Sequence, residues 1–156
     1  MKFSLQNLLG KTKDQPIENT DSVEAIIQDI ENNPFAISES NVLYAGLNEL
    51  GGYYFFQTVV VGSFKIKVKQ GASIDIKGPR LDLKLQSDML ELESDHTDVK
   101  GRWITKIDFQ INEADASKID RTSVEQMVLN CKKENIVFSK YESIDEEEWT
   151  NWRLHS

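Results

Sequence analysis

The stretch GSFKIKVKQGASIDIKG (Gly62–Gly78) puts Lys65, Lys67 and Lys69 on alternate positions, with Phe64, Ile66 and Val68 between them. A period of two is the mark of a half-buried strand. It also poses a chemical question. Three ammonium groups on one face either grip a polyanion or form the wetted side of a sheet, and the strand pairing decides which.

Gly62-Ser63 suits a two-residue turn, which sets Val61 opposite Phe64 and Val59 opposite Ile66. A three-residue loop at 70–72 sets Val68 opposite Ile74 and Ile66 opposite Ile76, whereas a two-residue loop at Gln70-Gly71 scrambles the faces. Gly78-Pro79 leads into a strand with Leu81, Leu83 and Leu85 inward. A turn at Ser87-Asp88 sets Leu85 opposite Leu90 and Leu83 opposite Leu92. The loop DHTD (Asp95–Asp98) sets Leu92 opposite Gly101 and Leu90 opposite Trp103. The last strand carries Val99, Gly101, Trp103, Thr105, Ile107, Phe109 and Ile111 on one face. From Tyr53 to Ile111 the chain thus reads as an antiparallel meander with short connections. Its outward positions form the row Lys67, Asp75, Asp82, Glu93, Lys100 beside the row Lys69, Ser73, Lys84, Glu91, Arg102. Opposite charges across strands are what a solvated face carries, so the lysines read as compensated.

The flanks read as helical. Asp21 is a candidate N-cap with Glu24 three residues on, and Val23, Ile26, Ile27 and Ile30 recur at helical spacing. This predicts a helix over 22–31, ended by Asn32-Asn33-Pro34. Before it, a brief N-terminal helix and a polar loop at 10–20 are expected. Phe35–Leu50 is expected to hold a short strand and then a turn of helix before Gly51-Gly52. After the meander, Thr122 and Glu125 suit a capping box, and Val124, Met127, Val128 and Cys131 make a stripe, predicting a helix over 123–133. Asn135–Tyr141 reads as a strand. Ser143 with Glu146 is expected to cap a last short helix. The expected fold is α+β: an antiparallel meander of six to seven strands with helices packed on one face. It is expected as one domain in three parts: helical 1–52, meander 53–111, and helix-strand-helix 112–156.

The bulk properties narrow the function. A chain of 156 residues with 39% apolar and 28% charged residues has the makings of a packed core. A net charge of −8 argues against a nucleic-acid binder or docking on an anionic membrane, both of which need excess Lys and Arg. The acidity sits in the flanks, since residues 62–110 hold nine Lys/Arg against eight Asp/Glu. Cys131 is the only cysteine, so no disulfide forms within the chain and no cysteine-based metal site arises. No secretory or membrane segment is read, and a cytoplasmic location is expected.

Motifs for chemistry are sparse. Asp75, Asp82 and Glu93 would lie side by side, but on a flat face flanked by lysines rather than in a cation-binding concavity. His96 has Asp95 and Asp98 beside it, in a stretch with loop composition and no nucleophile motif. Cys131 falls on an apolar stripe and reads as core. YYFFQTVVV (Tyr53–Val61) is apolar on both faces, as a doubly covered central strand is. Its alternative reading is the wall of an apolar pocket, with Tyr53, Tyr54 and Phe56 touching a ligand. In the acidic end, Trp149 and Trp152 share a helical face beside Glu146, Glu147 and Glu148, as a partner anchor would. No phosphate loop, dinucleotide fingerprint, zinc spacing or nucleophile elbow is present, so neither cofactor nor metal is expected. The sequence favours a non-catalytic intracellular protein that meets a partner protein through acidic and aromatic surface. The alternative is a carrier or sensor of an apolar small molecule held between sheet and helices.

Overall fold

A computed structural model describes residues 22–142. In chain order its elements are α1 (Val23–Asp29), β1 (Ala36–Ile37), β2 (Asn41–Leu50), β3 (Tyr53–Gly62), β4 (Lys67–Val68), β5 (Ser73–Gly78) and β6 (Leu81–Gln86). They continue with β7 (Leu92–Glu93), β8 (Asp95–His96), β9 (Trp103–Ile111), α2 (Glu113–Ala116), β10 (Gln126–Cys131) and β11 (Glu134–Lys140). Nine strands form one antiparallel sheet in the order β6-β5-β10-β11-β1-β2-β3-β9-β8, and β4 pairs separately with β7. The sheet curls into a half-barrel. Its rims meet at one bridge, Ser87 to Phe109, next to which the Asp88 N–H donates to the Asp108 carbonyl at 2.7 Å.

The period of two explains the core. Phe56 and Val60 on β3, Ile107 and Phe109 on β9, Ile74 and Ile76 on β5, Met127 and Leu129 on β10, and Phe138 on β11 all point inward and are buried together. Each such side chain contributes about 1.5–3 kcal/mol on leaving water. Phe64, Ile66, Val68 and Leu92, from β4, β7 and the segment before them, join the same cluster. On the outer face, α1 lays Val23 and Ile26 on Val42, Tyr44 and Val61. Seven residues are too few for a helix to stand alone, so this packing maintains it. The Ser22 hydroxyl caps it by accepting from the Ala25 N–H at 3.1 Å, and Arg102 clamps its far end through Asp29 at 2.9 Å.

The α+β expectation is overturned: the described residues are mostly antiparallel strand, with two short helices, α1 on the outer face and α2 giving Ala116 to the inner cluster. The helix expected over 123–133 is strand β10. Asp120 explains the start, because its carboxylate accepts from the Thr122 N–H, the Thr122 hydroxyl and the Ser123 N–H, which takes Thr122 out of the capping role. Beyond it, Met127, Leu129 and Cys131 bury with period two, and β10 is hydrogen-bonded on both edges, to β5 and β11. The turn of helix expected before Gly51-Gly52 is also strand. β2 runs straight into a two-residue hairpin whose glycines take φ of 61° and 88°, the conformation that a tight turn between twisted strands demands.

The meander survives only in part. The β5–β6 hairpin forms, with Ile76 opposite Leu83 and Ile74 opposite Leu85, but in a register that sets Asp75 opposite Lys84 rather than Asp82. β3 instead pairs with β2 and β9, β4 pairs with β7, and the other edge of β5 takes β10. Loop-closure entropy grows slowly with length, so these distant partners cost little more than adjacent ones. The candidate cap Asp21, the segment before it, and the final helix with Trp149 and Trp152 lie outside the described residues.

Candidate functional site

Two of the three lysines of the opening stretch have partners other than the expected ones. Lys67 faces Glu93 across the β4–β7 pair, and the Lys65 Nζ lies 4.3 Å from the centre of the Trp103 ring. Lys77 meets Asp82 at 3.2 Å, and Lys84 meets Asp75 at 3.3 Å. Val68 and Ile74 still bury in one cluster. Lysines and carboxylates therefore alternate on the β5–β6 hairpin, while Lys65 stands over an aromatic ring.

These pairs disperse the carboxylate row. Asp75 and Asp82 each have their own lysine on the β5–β6 hairpin, and Glu93 belongs to the separate ribbon. The Asp75 carboxyl is held below its usual pKa, first by the Asn130 side-chain N–H at 2.9 Å and then by Lys84. Among the described residues no three metal-ligating side chains come together. His96 is exposed on β8, edge-on to Trp103 at 6.2 Å between ring centres. Cys131 is buried, and burial raises its thiol pKa, which keeps it a thiol rather than a nucleophile.

Tyr53, Tyr54 and Phe56 are divided between two environments. Phe56 points into the core, edge-on to Phe35 with ring centres 6.1 Å apart. Tyr53 and Tyr54 line an open cleft of about 600 Å³, together with Phe55, Asp88, Gln110 and Ile111. Register explains its floor: Phe55 and Gln110 are direct cross-strand partners on the outer face, beyond the part that α1 covers. Gln110 donates to Asp88 at 2.6 Å and so ties β9 to the segment after β6. Glu113 and Glu49 raise the Tyr54 phenol above its usual pKa, a sign that the neighbouring potential is negative.

Exposed apolar side chains occur beside the cleft's residues along the chain and across the hairpin. Tyr53 is 72% exposed, its cross-strand partner Leu50 54%, and Met89 and Leu90, which follow Asp88, 59% and 63%. Sequence reasoning missed Asp88 and Gln110 in the cleft, and Leu50 beside Tyr53. One signal was there: Gly-Gly between two apolar runs marks a hairpin, and it places Leu50 across from Tyr53. Glu146, Glu147, Glu148, Trp149 and Trp152 lie outside the described residues.

A second, polar hollow of about 400 Å³ includes Ser38, Ser40, Asn41 and Ser63. Its polar groups serve one another: Ser40 and Ser63 share a hydrogen bond of 2.6 Å, and the buried Asn41 Oδ1 accepts from the Phe64 N–H at 2.9 Å. Gly62 is required there, because a Cβ would run into the Ser40 carbonyl oxygen. This corner is structural.

Comparison with protein-family models, with curated proteins and with solved structures found no match.

Proposed function

We propose that this protein is a non-catalytic binding module whose cleft beside Tyr53 takes an apolar, basic segment of a partner protein. The observation that carries the reading is Tyr53, 72% exposed in a cleft that Phe55 and Asp88 also line, with the exposed Leu50 across the hairpin from it and Glu49 and Glu113 near Tyr54. Exposed greasy side chains beside acids are what a basic amphipathic partner covers. Glu146, Glu147, Glu148, Trp149 and Trp152 supply the same two chemistries and are proposed as a second contact. The lone reduced thiol fits a cytoplasmic setting, and no helix among the described residues is long and apolar enough to cross a membrane.

The test is a photo-crosslinking residue placed at Tyr53, with a control at Lys84, in native extract. A discrete protein adduct is expected at 53 and none at 84, and Asp88→Lys should abolish it. Equal labelling at both positions sinks the reading. Deleting residues 143–156 separately shows how much the C-terminal acids and tryptophans add.

The cleft volume favours a second reading, an apolar small molecule lying against Tyr53 and Tyr54. An apolar fluorescent dye should then brighten with the protein and dim with Tyr53→Ser. Phe56 has no part in it, being core.

A further inference from the structure

Beyond Leu43, β2 has β3 along one edge and no described strand along the other. The two-residue turn makes Leu50 and Tyr53 a hydrogen-bonded pair, and bonded pairs then alternate along the hairpin. Asn48, Gly46 and Tyr44 therefore bond to β3. Ala45, Leu47 and Glu49 aim their N–H and C=O groups the other way, into the open edge. Leu43, the preceding member of that series, shows the direction, because its carbonyl accepts from the Phe35 N–H at 2.9 Å.

Open edges are normally guarded by charge, proline, brevity or cover. The outer rim of β6 carries Lys84 and is bridged through Ser87, and β8 is two residues long. The run Ala45-Gly46-Leu47-Asn48-Glu49 has no lysine, no proline and one charge. Leu47 stands 43% exposed in its middle.

We propose that this edge pairs antiparallel with the same edge of a second copy, with Leu47 on the twofold axis. In that register Leu47 faces Leu47 of the copy and Ala45 faces Glu49, so every free backbone group of the three residues finds a partner. Moving the axis to Gly46 sets Glu49 against Leu43, whose carbonyl is already used. Moving it to Asn48 sets Ala45 against the Gly51 turn. The register on Leu47 also puts apolar beside apolar and sets each Glu49 opposite a methyl group rather than a carboxylate. An edge that satisfies its own hydrogen bonds and keeps its two carboxylates apart is what an isologous dimer requires. The occupant is therefore this chain rather than a foreign strand.

Salt separates the two occupants. Each copy carries −8, so the copies repel at a distance and association should strengthen as salt screens them, over a Debye length of about 8 Å at physiological ionic strength. Attachment of a basic foreign strand would weaken instead. Leu47 does not line the cleft, and the crosslinking at Tyr53 and the mass of the Leu47 variants are read separately, so failure of one proposal leaves the other standing.

The test is sedimentation equilibrium of the full chain over a wide concentration range, at low and high salt. The wild type should rise to twice the monomer mass, at lower concentration in higher salt. Leu47→Lys and Leu47→Asp should each remain monomeric, and an equimolar mixture of the two should regain the doubled mass. Leu47→Pro, which removes one N–H facing the open edge, should also stay monomeric. A wild type that is monomeric throughout overturns the proposal. So does a dimer that survives all three substitutions, or a mixture that does not recombine.

Discussion

β10 and β2 each carry a leucine on an inward position of the same sheet, yet Leu129 is 1% exposed and Leu47 is 43% exposed. The residues are chemically identical and so is their parity. What differs is the neighbourhood: β10 lies between β5 and β11 over most of its length, whereas β2 beyond Leu43 has β3 alone. A strand flanked on both edges is drawn into the curl, and its alternate side chains meet those of the opposite wall. A strand flanked on one edge follows its hairpin outward and leaves the same side chain in water. Alternation in the sequence therefore marks a strand, and the neighbours on its edges decide whether it hides anything.

The strongest way to break this contrast is Leu129→Ala. Removing a fully buried leucine from between two paired strands should cost about 2–5 kcal/mol, through lost burial and a cavity that the packed sheet closes poorly. Urea denaturation measures it. A loss below about 1 kcal/mol would show that β10 is less tightly enclosed than its burial implies.

The same contrast explains what was legible in the sequence. The leucines of the β5–β6 hairpin are legible as inward because its partner is adjacent, but the turn is Pro79-Arg80 rather than Gly78-Pro79, which shifts the register by two residues. The inward set Thr105, Ile107, Phe109 and Ile111 was read because nine residues alternate without a break. Helix α1 was read because Val23 and Ile26 form a stripe, although its cap is Ser22. β10 was misread because Val124, Met127, Val128 and Cys131 satisfy a helical period as well as Met127, Leu129 and Cys131 satisfy a strand. Its turn, Lys132-Lys133, lacks the usual glycine or asparagine, yet Lys132 adopts φ of 55°. The cleft was half legible. Tyr53 and Tyr54 were found on their strand, but Asp88 and Gln110 meet them only through pairings between distant segments, which local reasoning on turns does not reach.

A milder test on the enclosed side uses charge. The Asp75 carboxyl lies below its usual pKa, chiefly because Asn130 donates to it. A carboxyl depressed in the folded state stabilises that state fully above its unfolded pKa, about 3.9, and the stabilisation fades as pH falls through the folded value. Asn130→Ala should therefore lower stability at pH 6–7, by about 1 kcal/mol for a lost hydrogen bond. The deficit against wild type should narrow below about pH 4, where Asp75 takes up a proton in both proteins. Urea midpoints at pH 6 and pH 3 give the comparison. A deficit that is constant with pH would mean that the Asn130 amide matters for packing and not for the carboxylate.

The smallest effect sharpens the other half of the contrast. Leu47→Ala in dilute protein should change stability by no more than about 0.5 kcal/mol, because the side chain already stands largely in water and its strand has no second neighbour. Raising the protein concentration should enlarge that difference if β2 finds its own copy, since a partner that binds only the folded state adds stability by mass action, and Leu47 would sit at the centre of the contact. A difference that stays small at every concentration leaves β2 a bare edge. A large difference already at high dilution would mean that Leu47 is supported within a single chain, and the distinction drawn between the two leucines would then be wrong.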